Sequence, residues 1–223
     1  MTAPATVQLV EIARTDLRLE ARAGEALFVT LPFGAAALVL VPLAVGADLP
    51  LLRAVGAGMY WVVVLLFGVL VTLRQSAADS LAQRELLRLC GVRPATRAGG
   101  RILSNTLWLL ALELLLGPVA IALYGPELTG WPWLLAVLPL VAAGLAALGA
   151  LADGLSTGLG ERMTLAPLLA VPLALPLLVA ATQISEGAAY GRPAWPWLLL
   201  LVTVDLVVVS ATLLSAGALE EAL

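Results

Sequence analysis

Two residue types are absent from this 223-residue chain: it contains neither lysine nor histidine. A P-loop needs a lysine on the nucleotide phosphates and pyridoxal chemistry needs a Schiff-base lysine, so the chain can build neither site. The lack of histidine excludes a Ser-His-Asp triad, a histidine metal site and ligation of haem by histidine. Any nucleotide hydrolysis by a P-loop, and any ligation of haem through histidine, must therefore come from a partner.

Cysteine and charged residues are scarce as well. The single cysteine, Cys90, excludes a disulfide within the chain. Charged residues make up 12% of the sequence, against roughly 25% in soluble domains, while hydrophobic residues make up 61%. This composition predicts an integral membrane protein. The basic residues flank apolar segments and form no separate basic domain, so we expect no nucleic-acid partner.

Six apolar segments have about the 20 residues that a helix needs to cross a bilayer. They lie at about Ala26 to Ala47, Ala54 to Leu73, Ile102 to Tyr124, Pro132 to Leu151, Met163 to Thr182 and Trp195 to Leu214. We therefore predict an all-α integral membrane bundle of six transmembrane helices. An even number of spans places both termini on the same side of the membrane.

The distribution of arginine orients this predicted bundle. Three arginines lie in the N-terminal segment, six lie in the loop at 74–101, and Arg162 follows the fourth predicted span. The opposite side has only Arg53 and Arg192. Because arginines beside membrane spans are retained on the cytoplasmic side, we predict that both termini are cytoplasmic.

The predicted organisation has two parts, an N-terminal elbow helix at residues 1–25 and a six-span permease domain at residues 26–223. Arginines spaced by four residues give the elbow one basic stripe that can reach lipid phosphates. The residues that mark this elbow are Asp16, Arg18, Glu20 and Arg22. We expect the helix to lie at the membrane interface, before the first span.

The cytoplasmic loop at 74–101 contains an amphipathic segment. A helix from Ser76 to Cys90 would place apolar side chains on one face and arginines on another. The residues that such a helix would use for docking are Arg84, Glu85, Leu86, Arg88 and Leu89. Docking into a groove of a cytoplasmic partner and lying along the bilayer surface as a connector are both compatible with this pattern.

Two acidic residues fall near the middle of predicted spans, Glu113 in the third and Asp205 in the sixth. A carboxyl group at bilayer depth costs on the order of 3 kcal/mol to insert, so each should face the bundle or a cavity. We expect both to be protonated, hydrogen-bonded to groups such as Asn105, Thr203 or Ser210, or paired with another subunit. Each is a polar tie between helices or, for Glu113, part of a proton relay or a conformational switch.

The fifth predicted span contains three prolines, Pro167, Pro172 and Pro176. Each removes a backbone hydrogen bond, so we expect a kinked or broken helix. Because freed carbonyl groups in a bilayer need protein or water around them, this helix should be buried in the bundle or line a cavity.

The pentapeptide WPWLL occurs twice, at Trp131–Leu135 and Trp195–Leu199, each time where a predicted span begins on the outer side. Tryptophan is enriched at the level of the lipid headgroups. We therefore favour an aromatic belt for these motifs over a substrate site.

Several segments together resemble the CcmB family, the six-span permease subunit of the bacterial ABC-type complex used in cytochrome c maturation. They are TDLRLEARAGEAL (15–27), LLRAVGAGMYWVVVLL (51–66), RILSNTLWLLALELLLGP (101–118), PLLAVPLALPLLVAAT (167–182), and Asp205 with a final LEE (219–221). The resemblance covers nearly the whole chain. The sequence departs from the family pattern in the loop at 74–101. There, only Glu85, Leu86, Leu89 and Pro94 match the residue types that the family pattern leads us to expect.

The resemblance implies a permease without chemistry of its own, in the bacterial inner membrane. Such a protein is not an enzyme and binds no cofactor itself, and it leaves ATP and haem to partner subunits. Its partners would be a cytoplasmic ABC ATPase, a tryptophan-rich membrane protein that handles haem, and a haem chaperone, with the lipid bilayer around them. ATP hydrolysis in the ATPase would act on the loop at 74–101. The movement would drive haem delivery, or release of the haem-loaded chaperone, on the outer face.

Other functions stay open at this point. A type-2 ABC permease could export another cargo, such as a lipid, a drug or a glycan. A proton-coupled secondary transporter could use Glu113. An intramembrane enzyme is disfavoured, because the sequence contains no recognisable pair of nucleophile and base and no metal cluster.

Overall fold

The structure is a computed structural model that describes residues 4–23, 25–46, 48–77, 89–126, 131–158, 165–187 and 190–221. Seven α-helices lie within these ranges: α1 (Ala5–Ala23), α2 (Glu25–Val45), α3 (Leu49–Ala77), α4 (Pro94–Tyr124), α5 (Trp131–Gly158), α6 (Leu165–Gly187) and α7 (Trp195–Glu221). The described residues contain no strand. The prediction of an all-α fold is therefore confirmed.

Five helices in the described part of the chain are long and apolar enough to cross a membrane. Their apolar spans are Leu49–Thr72, Pro94–Tyr124, Trp131–Gly154, Ala170–Gly187 and Trp195–Ala216. The first predicted span falls on α2, whose apolar part, Val29–Val45, is shorter than the other five. The chain is thus a multi-pass membrane protein, and its described part has five long apolar helices and one shorter apolar helix.

The helices extend beyond the apolar segments from which they were predicted, as α4 illustrates. It begins at Pro94, well before the predicted start at Ile102, because a proline in the first helical position loses no hydrogen bond. It ends where Gly125 takes a left-handed conformation with φ 55° and donates its N–H to the carbonyl oxygen of Ile121 at 3.0 Å. Hydropathy identifies only the part of a helix that is apolar enough to contact lipid, so it underestimates the length of the helix.

Successive helices from α2 onward alternate in direction, and short links join α2 to α3, α4 to α5 and α6 to α7. We call the end with these links the tryptophan end, because Trp131 and Trp195 begin α5 and α7 there. The opposite end, where Arg101 lies in the first turns of α4, is the arginine end. Within the described bundle, α5 is central and packs against α3, α4, α6 and α7. By contrast, α2 packs mainly against α3 and α4 at one edge.

The prolines of α6 lie in a continuous helix. Pro167 is in the first turn, and Pro172 and Pro176 are in the interior of Leu165–Gly187. The helix is not broken, so of the two predicted outcomes only a kink stays a prediction. One face of α6 is exposed, including Pro172, and the other face is buried. We expected a helix that is buried in the bundle or lines a cavity, and the described part of α6 is buried on one side only, while its Ser185 lines a cavity described below.

Most loop residues singled out for docking lie outside the described residues. This holds for Arg84, Glu85, Leu86 and Arg88, so their amphipathic helix stays a prediction. Leu89 is described, and 81% of its surface is exposed. A leucine this exposed at the arginine end is free to contact a partner or the membrane surface.

The N-terminal helix α1 packs against the first turns of α4. Ala13 is buried, and the two backbones approach closely at Gly100. A Cβ atom added to Gly100 would lie 2.8 Å from Cγ2 of Ile12 and 3.1 Å from the carbonyl oxygen of Leu9. Glycine at this position is what allows the close contact.

The elbow residues divide between two faces of α1. Arg18 and Arg22 are exposed, on the side away from α4. Asp16 and Glu20 are partly buried, and each has an interaction partner within the protein. The exposed arginines are therefore available to lipid phosphates, although the position of α1 relative to a membrane stays a prediction.

The substitution Gly100→Leu should displace α1 from α4. Overpacking a tight contact typically costs about 1–3 kcal/mol, and the nearest backbone atom cannot move aside as a side chain can. The measurement is maleimide labelling of Ala13→Cys in a Cys90→Ala background, with thermal unfolding recorded in the same mild detergent. We expect faster labelling than in the parent protein.

Gly117→Leu provides the matched control within the same helix, because an added Cβ at Gly117 meets no atom within 4 Å. This variant should label at the parental rate. Equal labelling rates for the two leucine variants would contradict the packing of α1 on Gly100.

Candidate functional site

A cavity of about 310 Å³ lies between α3, α4, α5 and α6, in the half of the bundle nearer the tryptophan end. This volume is at the lower end of the range of about 300–1,000 Å³ for ligand pockets. Most of its described lining is apolar. The side chains with polar atoms are Tyr60, Trp61, Glu113, Tyr124 and Ser185.

Glu113 provides the carboxyl group among the described lining residues. Its side chain is 0% exposed, and neither carboxylate oxygen has a hydrogen-bond partner among the described residues. A buried polar group without a partner costs about 1–3 kcal/mol, and more when it is charged. Glu113 is therefore a destabilising residue whose carboxyl group is buried at the cavity wall without a partner among the described residues.

Two aromatic side chains hold the wall that faces Glu113. The hydroxyl group of Tyr60 donates to the backbone carbonyl oxygen of Glu113 at 2.9 Å, which joins α3 to α4. The indole Nε1 of Trp61 donates to Oγ of Ser185 at 3.0 Å, which joins α3 to α6. The two rings pack edge to face, with their centroids 4.9 Å apart. These bonds fix the positions of three of the four helices around the cavity.

Tyr124 satisfies a backbone group that a proline leaves open. Pro42 has no N–H, so the carbonyl group of Leu38 has no donor four residues further along α2. The hydroxyl group of Tyr124 donates to that carbonyl oxygen at 2.8 Å. The cavity wall at Tyr124 is thereby tied to the peripheral helix α2.

The cavity reaches the lipid-facing surface along α4. Leu114 and Ile121 line it and are 56% and 43% exposed, and Pro118 between them is exposed as well. These residues are spaced by four and three positions and so share one face of the helix. Gly117 lies beside them without a side chain, and nothing else fills the space. The exposed face therefore forms a rim that opens sideways to the bilayer.

Asp205 is a second buried carboxyl group, and it is not part of the described cavity lining. Its oxygens also have no hydrogen-bond partner among the described residues. Its Oδ1 atom lies against Gly144 of α5, so a side chain at Gly144 would collide with it. The close approach of α7 to α5 depends on this glycine.

The hydrogen bonds expected from Asn105, Thr203 or Ser210 to these acids are absent from the described structure. Asn105 is buried on α4, but it lies on the same helix as Glu113. Thr203 donates instead to the carbonyl oxygen of Leu199 in its own helix, at 2.7 Å. Of the three predicted alternatives, hydrogen bonding is therefore not met among the described residues, because similar depth in the membrane does not make two side chains point at each other. Protonation and pairing with another subunit stay predictions.

Each end of the bundle has a contact between helices. At the tryptophan end, the rings of Trp133 and Trp195 pack edge to face at 5.6 Å, so the two WPWLL motifs meet. At the arginine end, Arg101 forms an ion pair with Asp153 at 3.3 Å, between α4 and α5. Both contacts lie outside the described lining of the cavity.

Of the individual residues to which the sequence analysis assigned a site role, only Glu113 is part of the described cavity lining. Tyr60, Trp61, Ser185 and Gly117 were not singled out, since no spacing in the sequence relates residues of three separate helices. The sequence feature that could have indicated Tyr60 and Trp61 is the polar group at the end of each side chain, the hydroxyl or the indole N–H, within an otherwise apolar segment. The described residues contain no cluster of three or more acidic or cysteine side chains that could hold a metal ion.

The profile of the family described as CcmB protein matches residues 7–222. The chain belongs to the CcmB family. "Heme exporter protein B" of Haemophilus influenzae is 31% identical to it over 217 residues, 96% of this chain and 96% of that protein. "Heme exporter protein B" of Paracoccus denitrificans is 30% identical over 209 residues, 91% of this chain and 94% of that protein. The resemblance found in the sequence is thus confirmed.

Two of the segments that carry the CcmB resemblance build most of the cavity wall. The segment 51–66 provides Tyr60 and Trp61 from α3, and the segment 101–118 provides Glu113 and Gly117 from α4. Just over half of the described lining residues lie in these two segments, and the others come from elsewhere in the chain.

Ser185→Ala should destabilise the protein, because it leaves the buried indole N–H of Trp61 without an acceptor. We expect a loss of about 1–2 kcal/mol in the free energy of unfolding, measured in lipid bicelles or mild detergent. Ser215→Ala is the control, since the hydroxyl group of Ser215 donates to Thr212 in its own helix. A similar effect of both variants would contradict the role given to the bond between α3 and α6.

Glu113→Leu should leave the protein as stable as the parent or stabilise it by about 1–2 kcal/mol, because an apolar side chain removes an unsatisfied buried group. The same unfolding measurement tests this. Glu113→Gln serves as the polar control. A loss of stability in Glu113→Leu as large as that in Ser185→Ala would show that Glu113 is a polar tie between helices.

Proposed function

We propose that the chain is the membrane permease subunit of an ABC-type haem-export complex for cytochrome c biogenesis. The observation that carries the proposal is the family match over residues 7–222, together with two relatives named heme exporter protein B that align over more than nine tenths of their length. The permease couples ATP hydrolysis by a partner to haem delivery, or to release of a haem-loaded chaperone, on the outer face.

The composition supports this division of labour. A chain without lysine cannot hold nucleotide by a P-loop, and a chain without histidine cannot provide the usual axial ligand of haem. Both tasks therefore belong to partners, namely a cytoplasmic ABC ATPase and a tryptophan-rich membrane protein. A haem chaperone receives the cargo outside.

The proposed topology has six spans in the bacterial inner membrane, with both termini in the cytoplasm. It counts α2 as the first span, because about 17 apolar residues are the minimum for crossing a bilayer. The arginine end is then cytoplasmic, as the excess of arginine there requires. The tryptophan end, with Trp131 and Trp195, faces outward, and α1 lies along the inner surface as the elbow.

The links at the arginine end provide a route from an ATPase to the cavity. The loop at 74–101 leads from α3 to α4, and the connection after Gly158 leads from α5 to α6. These four helices are the ones that surround the cavity. A movement of the two links by an ATPase would change the relative positions of all four helices. The proposed coupling residues are Arg84, Glu85, Leu86, Arg88 and Leu89.

A proton-coupled transporter is the second candidate, and the unpaired carboxyl group of Glu113 is the observation that favours it. Such a transporter would work without an ATPase and would fail in Glu113→Gln. A type-2 ABC permease with another cargo would also be coupled to an ATPase, but it would have no partner that handles haem.

The deciding experiment is purification of the chain from its native membrane in mild detergent, followed by mass spectrometry of the proteins that accompany it. Recovery of a P-loop ATPase and a haem-binding membrane protein is the expected result. An ATPase without haem-handling proteins would favour another cargo. If no ATPase is found even with added nucleotide and crosslinker, the permease proposal fails and Glu113 should be tested in proton transport.

Leu89→Asp should reduce recovery of the ATPase by about tenfold or more, because a charge replaces an exposed apolar contact at the proposed docking surface. The measurement is the ratio of ATPase to permease after crosslinking. Val7→Asp is the control, since Val7 is also apolar and 48% exposed, but lies on α1. Equal recovery with both variants would contradict docking at the loop.

A further inference from the structure

We propose that the cavity at Glu113 binds an amphiphilic amine, a bilayer-soluble molecule with one ammonium group and a single small apolar body. Such binding needs neither an ATPase nor haem, so it can be tested apart from the proposed function. Three features of the cavity carry the proposal: a buried carboxylate without a partner, an aromatic wall beside it, and an opening toward lipid.

The carboxylate of Glu113 matches an ammonium group in charge and in hydrogen bonding. Both of its oxygens are acceptors without a donor among the described residues, and the side chain is fully buried. An ammonium group brings only donors, and hydrogen bonds between two charged groups are roughly twice as strong as neutral ones. No arginine is part of the described lining, so no cation of the protein competes for this carboxylate. The carboxylates of haem, by contrast, would be repelled.

The aromatic wall favours a cation as well. Tyr60 and Trp61 line the cavity together with Glu113, and Tyr124 lies toward the tryptophan end. Aromatic rings attract organic cations through their negative faces, and more strongly where water is excluded. The hydrogen bonds of Tyr60 and Trp61 hold these rings in place before a ligand arrives. The wall is thus preorganised for an organic cation.

The position and the size of the cavity restrict which amines can bind in it. Its rim at Leu114, Pro118 and Ile121 opens to the lipid, so a ligand dissolved in the bilayer can enter from the side. Glu113 lies about 16 Å along the helix axis from Tyr124 at the tryptophan end, given the rise of 1.5 Å per residue. An ammonium group anchored among phospholipid headgroups does not reach this depth. A free amine with one short alkyl chain does, and it suits a volume of about 310 Å³.

The test is photolabelling of the full chain in phosphatidylcholine nanodiscs, with an n-alkylamine that carries a diazirine on its chain. Labelled residues are mapped by mass spectrometry, and n-octylamine, n-octanol and n-octanoate are compared as competitors. We expect saturable labelling of the cavity segments of α3 and α4. Octylamine should compete at a concentration about tenfold or more below that of octanol, because only the amine pairs with a carboxylate.

Four variants separate the effect of the carboxylate from the effect of the space around it. Glu113→Gln keeps the shape but removes the charge, and should weaken labelling by about tenfold or more. Asp205→Asn makes the same change at a buried carboxyl group outside the cavity lining, and should leave labelling at the parental level. Gly117→Leu fills the cavity while Glu113 stays in place, and should abolish labelling, whereas Gly117→Ala should largely retain it.

Undiminished labelling in Glu113→Gln, or equal competition by octanol and octylamine, would overturn the proposal. So would undiminished labelling in Gly117→Leu, or the absence of saturable labelling in the parent protein. If Glu113→Gln does not fold, the two Gly117 variants and the competitors decide the question alone. Failure of labelling together with recovery of the ATPase from native membranes would reject the amine site and leave the proposed function standing.

Discussion

Inside a bilayer no water is available to polar groups, so each of them must find its partner within the protein. The described bundle meets this requirement by bonds between helices: Tyr124 satisfies the carbonyl group that Pro42 leaves open, and Thr212 of α7 donates to the carbonyl oxygen of Ala147 of α5 at 3.2 Å. Glu113 is an exception with a cavity beside it. The protein retains an unsatisfied carboxyl group where an apolar residue would be more stable, and this stability cost is the physical basis for assigning a function to the site.

The four helices around the cavity link it to both ends of the bundle. These helices are joined in pairs at the arginine end, where the loop at 74–101 and the connection after Gly158 lie. Toward the tryptophan end the cavity opens sideways past Leu114 and Ile121. An ATPase that moves the two connections would therefore change a site whose ligand comes from the membrane. The amine would then bind one arrangement of the four helices more tightly than another, and it would shift the equilibrium between the two arrangements.

The sequence was sufficient to predict the apolar helices and the most unusual side chain, because both depend on local composition. A carboxyl group such as Glu113 is conspicuous within an apolar segment, and the helices around it differ from the predicted spans mainly at their ends. The residues that line the cavity with Glu113 could not be predicted, since Tyr60 and Ser185 reach it from helices far apart in the chain. Depth alone also misled the expectation about Thr203, whose hydroxyl group bonds within its own helix. The neighbour toward which a side chain points depends on how each helix is rotated about its axis. Tertiary packing decides this rotation, and a single sequence does not reveal it.

The most direct test is an experimental density map of the chain in a lipid nanodisc with n-octylamine, at a resolution that shows side chains. We predict density that belongs to no protein atom between α3 and α4, with one end about 2.7–3.2 Å from the carboxylate oxygens of Glu113. Tyr60 and Trp61 should border that density. A closed cavity in which Glu113 forms hydrogen bonds with another protein group would contradict the central claim that this carboxyl group is held ready for a ligand.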